Sequence, residues 1–152
     1  MDANIILIGM PGCGKSTIGR KLAAQMQREF VDLDEVIANQ YGVSPAEMIR
    51  SLGEDYFRQV ESTVIKEYGK RSSLVIATGG GCVTRPENYA PLHQNGTIIW
   101  LQRDINLLET QGRPLSTSTN LSQLYCVRQH MYARYSDFQI SNNGSVDETV
   151  AA

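Results

Sequence analysis

The chain has no apolar run long enough to cross a bilayer. Its N-terminal stretch Ile5-Ile6-Leu7-Ile8 is far too short for a span and has no basic lead of the kind a signal peptide carries, so a cytoplasmic protein is expected. It also lacks a basic excess. Fourteen Lys and Arg stand against 16 Asp and Glu, for a net charge of −2, which argues against a nucleic-acid partner. Cysteine is scarce. Cys13, Cys82 and Cys126 form no C-x-x-C pair and are odd in number, so reduced thiols are expected rather than a disulfide framework. No Cys/His spacing suits a metal, and His93 and His130 stand alone. No repeat and no linker divides the 152 residues, a length suited to one domain over 1–152.

What is present is strand–helix alternation. Short apolar runs at Asn4–Ile8, Phe30–Asp32, Leu74–Ala77 and Thr97–Leu101 read as strands, with a weaker fifth at Phe138–Ile140. The clearest are continuously apolar, as parallel strands covered on both faces are. Between them lie helical stretches. Lys15–Gln27 spaces Ile18, Leu22 and Met26 by four, and 55–70 aligns Phe57, Val60, Val64 and Tyr68. Ser44-Pro45-Ala46-Glu47 reads as a helix start with a capping box. Asp104 is placed as the cap of a short helix through Leu108, Leu121–Tyr135 as a long one, and Val146–Ala152 as the start of a last one. Two stretches read as mobile: Gln111–Asn120, a lid between helices, and the turn Ser141–Ser145. The pattern predicts a three-layer α/β fold with a mainly parallel five-stranded sheet and ligands at the carboxyl ends of its strands.

The strongest local signal is Gly9-Met10-Pro11-Gly12-Cys13-Gly14-Lys15-Ser16, which satisfies G-x-x-x-x-G-K-[ST] between a strand and a helix. Its glycines let backbone N–H groups wrap phosphate oxygens, and the following helix adds its N-terminal dipole. Lys15 is placed on the β- and γ-phosphates, and the Ser16 hydroxyl on Mg²⁺. The loop thus predicts an ATP-binding phosphotransferase of the P-loop class, with Gly9, Pro11, Gly12, Cys13, Gly14, Lys15, Ser16 and Thr17 as nucleotide-binding residues. Cys13 reads as a small residue that fits the loop.

The strand Leu74–Ala77 ends in Thr78-Gly79-Gly80-Gly81 and carries no metal-orienting carboxylate, so that role falls to Asp32-Leu33-Asp34. Strand alternation would project Asp32 and Asp34 to one side, one for hydrated Mg²⁺ and the other to take a proton from an attacking hydroxyl. The alternative is that Asp34 caps a helix starting at Glu35. Arg58, Arg113 and Arg128 lie on different segments and suit an anionic substrate and a transferring phosphoryl. The residues by themselves leave open another small-molecule kinase, acting on a nucleoside monophosphate or a sugar acid, and a binding-only protein.

In sequence order, Gly-Met-Pro-Gly-Cys-Gly-Lys-Ser-Thr at 9–17, Asp-Leu-Asp at 32–34, Gly-Glu-x-x-Phe-Arg-x-x-Glu at 53–61, Gly-Gly-Gly at 79–81, Arg-Pro-Leu at 113–115 and Arg-x-x-x-Tyr at 128–132 resemble the shikimate kinases over nearly the whole chain. The resemblance implies a fold like that of nucleoside monophosphate kinases, with a mobile lid, and a monomer. It implies ATP-dependent phosphorylation of the 3-hydroxyl of shikimate, a step of chorismate and aromatic amino-acid biosynthesis. It also implies roles. Arg58 and Arg128 hold the substrate carboxylate, Asp34 meets the reacting hydroxyl, and Gly79, Gly80 and Gly81 offer backbone approach. Glu61 orients Arg58, Asp32 and Ser16 serve Mg²⁺, and Lys15 and Arg113 attend the transferred phosphoryl. The chain departs from the family in the stretch 106–112, which contains no Arg or Lys to pack on adenine, and in a short C-terminus.

Overall fold

Asn4–Ile8 (β1) is apolar toward both faces, and the structure sets it at the centre of a five-stranded sheet. The computed structural model describes residues 3–10, 13–103 and 118–142. In chain order these form β1, α1 (Lys15–Met26), β2 (Glu29–Asp32), α2 (Leu33–Tyr41), α3 (Pro45–Leu52), α4 (Glu54–Gly69), β3 (Leu74–Ala77), α5 (Tyr89–His93), β4 (Gly96–Gln102), α6 (Ser118–Tyr135) and β5 (Phe138–Ser141). Two 3-10 turns, Cys82–Thr84 and Pro86–Asn88, precede α5. The sheet order is β2-β3-β1-β4-β5, and every pairing is parallel.

Register explains the two-sided core. Ile6 pairs with Ile76 and Ile98, and Ile8 with Trp100. These side chains share a face with Leu33, Ile37, Phe57, Ile65, Leu92 and Tyr132 in the larger cluster. The intervening Leu7 and Val75 point the other way, where Ala23 of α1 covers them with help from Leu22, Phe30 and Ile99. Period-two alternation thus feeds both layers from one strand. Each fully buried Ile or Leu contributes roughly 1.5–3 kcal/mol, which is what holds a polar phosphate loop on an apolar platform. β5 is an edge strand, opposite β2. Its Phe138 is 61% exposed, in line with its weaker sequence signal.

Among the described residues the expected strands and helices are present, with shifts that have local causes. α1 stops at Met26 because Gln27 adopts a left-handed C-cap and donates to Ala23 and Ala24 carbonyls. α3 begins where Ser44 accepts from Glu47 N–H at 3.1 Å. The capping box is not reciprocal, because the Glu47 carboxylate turns instead to Arg50 and Ser51. One expectation fails in a way that matters for the site. β2 ends at Asp32, and Leu33 already belongs to α2. Asp32 Oδ1 accepts from the backbone N–H of Asp34 (3.0 Å) and Glu35 (3.4 Å), so strand alternation does not run through Asp34. Nor does Asp34 cap a helix from Glu35; Asp32 holds that position. The turn expected at Ser141–Ser145 is also corrected at its start: Ser141 is paired in β5, and Asn142 is 4% exposed. The expected helices at 104–108 and 146–152, and residues 111–117 of the lid expected at Gln111–Asn120, lie outside the described residues; its last three residues, 118–120, are instead the first turn of α6, which starts ahead of the expected Leu121.

Candidate active site

The connection leaving β1 runs toward β2, whereas that leaving β3 crosses to β4 on the other side of β1. Between such strands a crevice opens at the carboxyl ends, and the candidate residues gather there. Gly9 and Met10 follow β1, Asp32 ends β2, and Thr78 to Gly81 follow β3. Thr78 holds the β3 exit against β1. Its hydroxyl donates to Leu7 O at 2.8 Å, and its N–H to the same oxygen at 3.2 Å.

The loop residues described are Gly9, Met10 and Cys13 onward; Pro11 and Gly12 lie outside the described residues. Gly14 takes φ +97°, a left-handed value that suits glycine, and serves as the N-cap of α1. Lys15 follows immediately. Its ammonium donates to Gly9 O (2.9 Å) and Met10 O (3.0 Å), which keeps the charge at the mouth of the loop. Ser16 Oγ donates to Asp32 Oδ2 at 2.6 Å. The two Asp32 oxygens therefore divide their work, one capping α2 and positioning Asp34, the other meeting the loop serine. Thr17 is exposed on the first turn of α1.

The second cluster surrounds Arg58. An arginine on a helix is ordinarily solvated, yet Arg58 is 6% exposed and Glu61 only 1%. Arg58 Nη1 donates to Glu61 Oε1 at 2.9 Å, and the Glu54 carboxylate lies 3.3 Å from Nη2. Burial opposes the Arg58 charge, and Glu61 and Glu54 outweigh it, so the guanidinium stays above its ordinary value. Glu61 behaves differently. Burial raises its carboxyl, Arg58 pulls it back and the neighbouring Asp34 raises it again, for a net value of about 6. Glu61 Oε2 has no hydrogen-bond partner among the described residues.

Asp34, Glu61 and Arg58 converge on the glycine triplet. A Cβ at Gly79 would stand 2.7 Å from Glu61 Oε2 and 2.9 Å from Asp34 Oδ1, and one at Gly81 would overlap the Arg58 guanidinium. Gly80 O accepts from Tyr132 OH at 2.5 Å, and that hydroxyl is buried and raised well above its usual range by desolvation. Arg128, one turn earlier on α6, is 5% exposed and lies close enough for its charge to act on both Glu61 and Tyr132. The structure therefore brings together Lys15, Ser16, Asp32, Asp34, Arg58, Gly79, Gly80, Gly81 and Arg128. Arg113 lies outside the described residues. Among the described residues no group of three or more His, Cys, Asp or Glu side chains is placed to hold a metal by itself.

The raised Glu61 value makes a stability prediction. A carboxyl at about 6 in the folded protein and near 4.5 when unfolded takes up a proton on folding between those pH values. Its contribution is fully present below about 4.5 and is lost as pH rises through about 6. We expect the unfolding free energy of the wild type to fall by about 2 kcal/mol relative to Glu61→Gln between pH 4.5 and pH 7. Urea unfolding of both proteins at the two pH values checks this; a constant difference refutes it.

A parallel sheet ordered β2-β3-β1-β4-β5, with a Gly-Lys-Ser turn from its central strand into a helix, defines a P-loop phosphotransferase. A carboxylate and two buried arginines opposite that loop fit a kinase for a small anionic alcohol. The chain belongs to the shikimate kinase family, whose model matches residues 11–152. A shikimate kinase of Clostridium botulinum (strain Eklund 17B / Type B) is 36% identical over 99% of this chain and 94% of its own length. One of Prochlorococcus marinus (strain NATL2A) is 46% identical over 90% of this chain and 73% of its own. Among solved structures, the shikimate kinase from Acinetobacter baumannii in complex with shikimate superposes with a TM-score of 0.93. It is 32% identical and covers 99% of this chain and 90% of that one. The Aquifex aeolicus enzyme gives 0.81 at 27% identity, covering 97% of this chain and 92% of its own.

Sequence reasoning gave no role to Tyr132, although it stands in the Arg-x-x-x-Tyr match, and missed Asn142. Tyr132 supports Gly80, although its contact partner is 52 positions away. Asn142, from the presumed turn, donates through its side chain to Cys13 O at 2.8 Å. Its neighbours Asn143 and Gly144 signal only a turn.

Proposed function

We propose that this chain transfers the terminal phosphoryl group of ATP to the 3-hydroxyl of shikimate, giving shikimate 3-phosphate and ADP, through the residues gathered at the β1–β3 crevice. The observation that carries this reading is the buried Arg58–Glu61 pair beside Asp34 and Arg128, facing a glycine triplet that keeps the space clear. Fixed guanidinium groups suit a planar carboxylate, and burial strengthens that recognition. Arg58 and Arg128 hold the substrate carboxylate. Gly79, Gly80 and Gly81 let the ring approach backbone, and Asp34 accepts the proton of the attacking hydroxyl.

Phosphoryl transfer asks mainly for alignment and charge neutralisation. The backbone N–H groups of the loop from Gly9 through Thr17, Gly12 among them and Pro11 shaping its course without a donor, cradle the triphosphate, and Lys15 attends its β- and γ-oxygens. The donor set formed by Ser16 Oγ and Asp32 Oδ2, 2.6 Å apart, consists of hard oxygen ligands of the kind Mg²⁺ takes together with phosphate and water. Bound there, Mg²⁺ neutralises charge on the triphosphate. The Asp32 cap on α2 holds the backbone of Asp34 in place, so these two carboxylates are set by one local structure. A lid ahead of α6, over 111–117, carries Arg113 onto the transferring phosphoryl and excludes water, which limits hydrolysis of ATP.

Arg113→Ala is expected to lower turnover by roughly 10²–10³ while the shikimate KM changes little, because the lost charge acts on the transition state. Steady-state kinetics in both substrates checks this, and equal turnover in the mutant refutes the role.

The reading extends to a single-domain monomer over 1–152 working in the cytoplasm. It is supported by free cysteines at 13, 82 and 126, and by the absence among the described residues of a helix long and apolar enough to cross a membrane. The deciding experiment measures ADP release from Mg-ATP with shikimate, gluconate or AMP as acceptor. Release that depends on shikimate supports the assignment; release with a control acceptor alone overturns the substrate and keeps the kinase.

A further inference from the structure

Asn142 sits one residue past β5, at the end of an edge strand whose Phe138, Gln139 and Ser141 are exposed, yet it is itself 4% exposed. Its backbone is held on both sides. The N–H donates to Gln102 O at 2.6 Å, extending the β4–β5 ladder, and the carbonyl accepts from Arg103 Nη1 at 2.5 Å. From this fixed base the side-chain amide reaches the phosphate loop, where Nδ2 donates to Cys13 O at 2.8 Å in a buried contact. The approach depends on the glycine that follows. A Cβ at position 14 would stand 2.6 Å from Asn142 Nδ2.

The geometry has a consequence for the other end of that peptide. Cys13 C=O and Gly14 N–H belong to one planar trans unit and point in opposite directions. Holding the carbonyl toward β5 therefore turns the Gly14 N–H away from β5, toward the hollow of the loop at the start of α1. A free peptide at a glycine could flip, because φ +97° and its mirror are both open to Gly14. We propose that Asn142 is a positioning residue for the nucleotide: its side-chain amide locks the Cys13–Gly14 peptide so that the Gly14 N–H faces the phosphate groups. This rests on the reading of the loop as the ATP site and adds to it a brace from the far edge of the sheet.

The brace acts on one substrate only. Asn142 touches the phosphate loop, whereas the proposed shikimate residues lie on α2, α4, α6 and the β3 exit. The test compares ADP and shikimate binding, each by calorimetry, in wild type, Asn142→Ala and Asn142→Asp. Asn142→Ala removes the donor, and ADP affinity is expected to fall roughly tenfold, with shikimate affinity within about twofold of wild type. Asn142→Asp keeps the outline and sets a charged acceptor against the Cys13 carbonyl and the phosphates, so ADP affinity is expected to fall by roughly a hundredfold. The near-isosteric aspartate variant carries the comparison if the alanine variant does not fold. In the wild-type amide NMR spectrum the Gly14 resonance moves on adding ADP, and in either variant it is expected to start from a different position.

Unchanged ADP affinity in a variant, beside a wild type that binds ADP, overturns the brace and leaves the nucleotide site standing. A parallel loss of ADP and shikimate affinity also overturns it, because the residue is then only structural. A wild type that binds shikimate but not ADP overturns the reading of the loop, and the brace with it.

Discussion

Asp34→Asn is expected to lower kcat by roughly 10²–10⁴ while leaving the KM for ATP within about twofold. The amide has the outline of the carboxylate and keeps the backbone N–H that Asp32 Oδ1 accepts, so α2 still begins at the same residue. What is lost, on the proposed role, is the capacity to take a proton from the attacking hydroxyl. The magnitude decides between two roles. Phosphoryl transfer through a loose transition state needs little help from a base, so a residue that merely orients the hydroxyl costs less than about tenfold when it becomes an amide. A residue that removes the proton costs much more. Single-turnover measurement of phosphorylated product, which separates chemistry from ADP release, is the appropriate check. A small effect there would sink the base assignment and leave Asp34 as a hydrogen-bonding partner of the substrate.

How much of this site was legible beforehand follows from the range of each interaction. The strand–loop–helix setting of the phosphate loop was legible because its signal is local: the glycines, Lys15 and Ser16 lie in one short stretch between an apolar strand and a helix. The central strands were equally plain, since burial on both faces leaves a continuously apolar run. Asp32 and Asp34 were singled out by a strand alternation that does not hold. A strand was extended through them, although an Asp followed by acidic residues in the next turn is also a helix start, and the structure uses it as one. Arg58 carried a partial signal in Glu54 and Glu61, which flank it at helical spacing. Nothing local said that this face of α4 would be buried. Asn142 had no readable signal at all. Its partner is 129 residues away, and the Asn-Asn-Gly composition around it points to a turn. Local chemistry shows through a sequence; a brace between distant segments depends on a register that only the folded sheet sets.

The Arg58–Glu61 pair separates stability from recognition, and a pair of variants takes the two apart. Arg58→Ala is expected to destabilise the protein by roughly 3–5 kcal/mol near neutral pH, because it strands a carboxylate that is 1% exposed. Glu61 responds by taking a proton more readily, since the charge that pulls its value down has gone, so the penalty is larger at pH 8 than at pH 6. Adding Glu61→Gln removes the stranded charge, and the double variant is expected to recover much of the lost stability. Recognition does not follow. The double variant still lacks the guanidinium proposed to receive the substrate carboxylate, so the shikimate KM is expected to stay roughly 10–100-fold above wild type, the worth of one charge-assisted contact. Denaturant unfolding and shikimate kinetics on wild type, both single variants and the double variant form a complete cycle. If the double variant regains both stability and a wild-type KM, Arg58 is only the counter-ion of a buried glutamate, and the substrate carboxylate must be held by Arg128 or elsewhere. If stability returns and the KM does not, the helix α4 arginine faces the substrate, and Glu61 exists to keep it buried, charged and aimed.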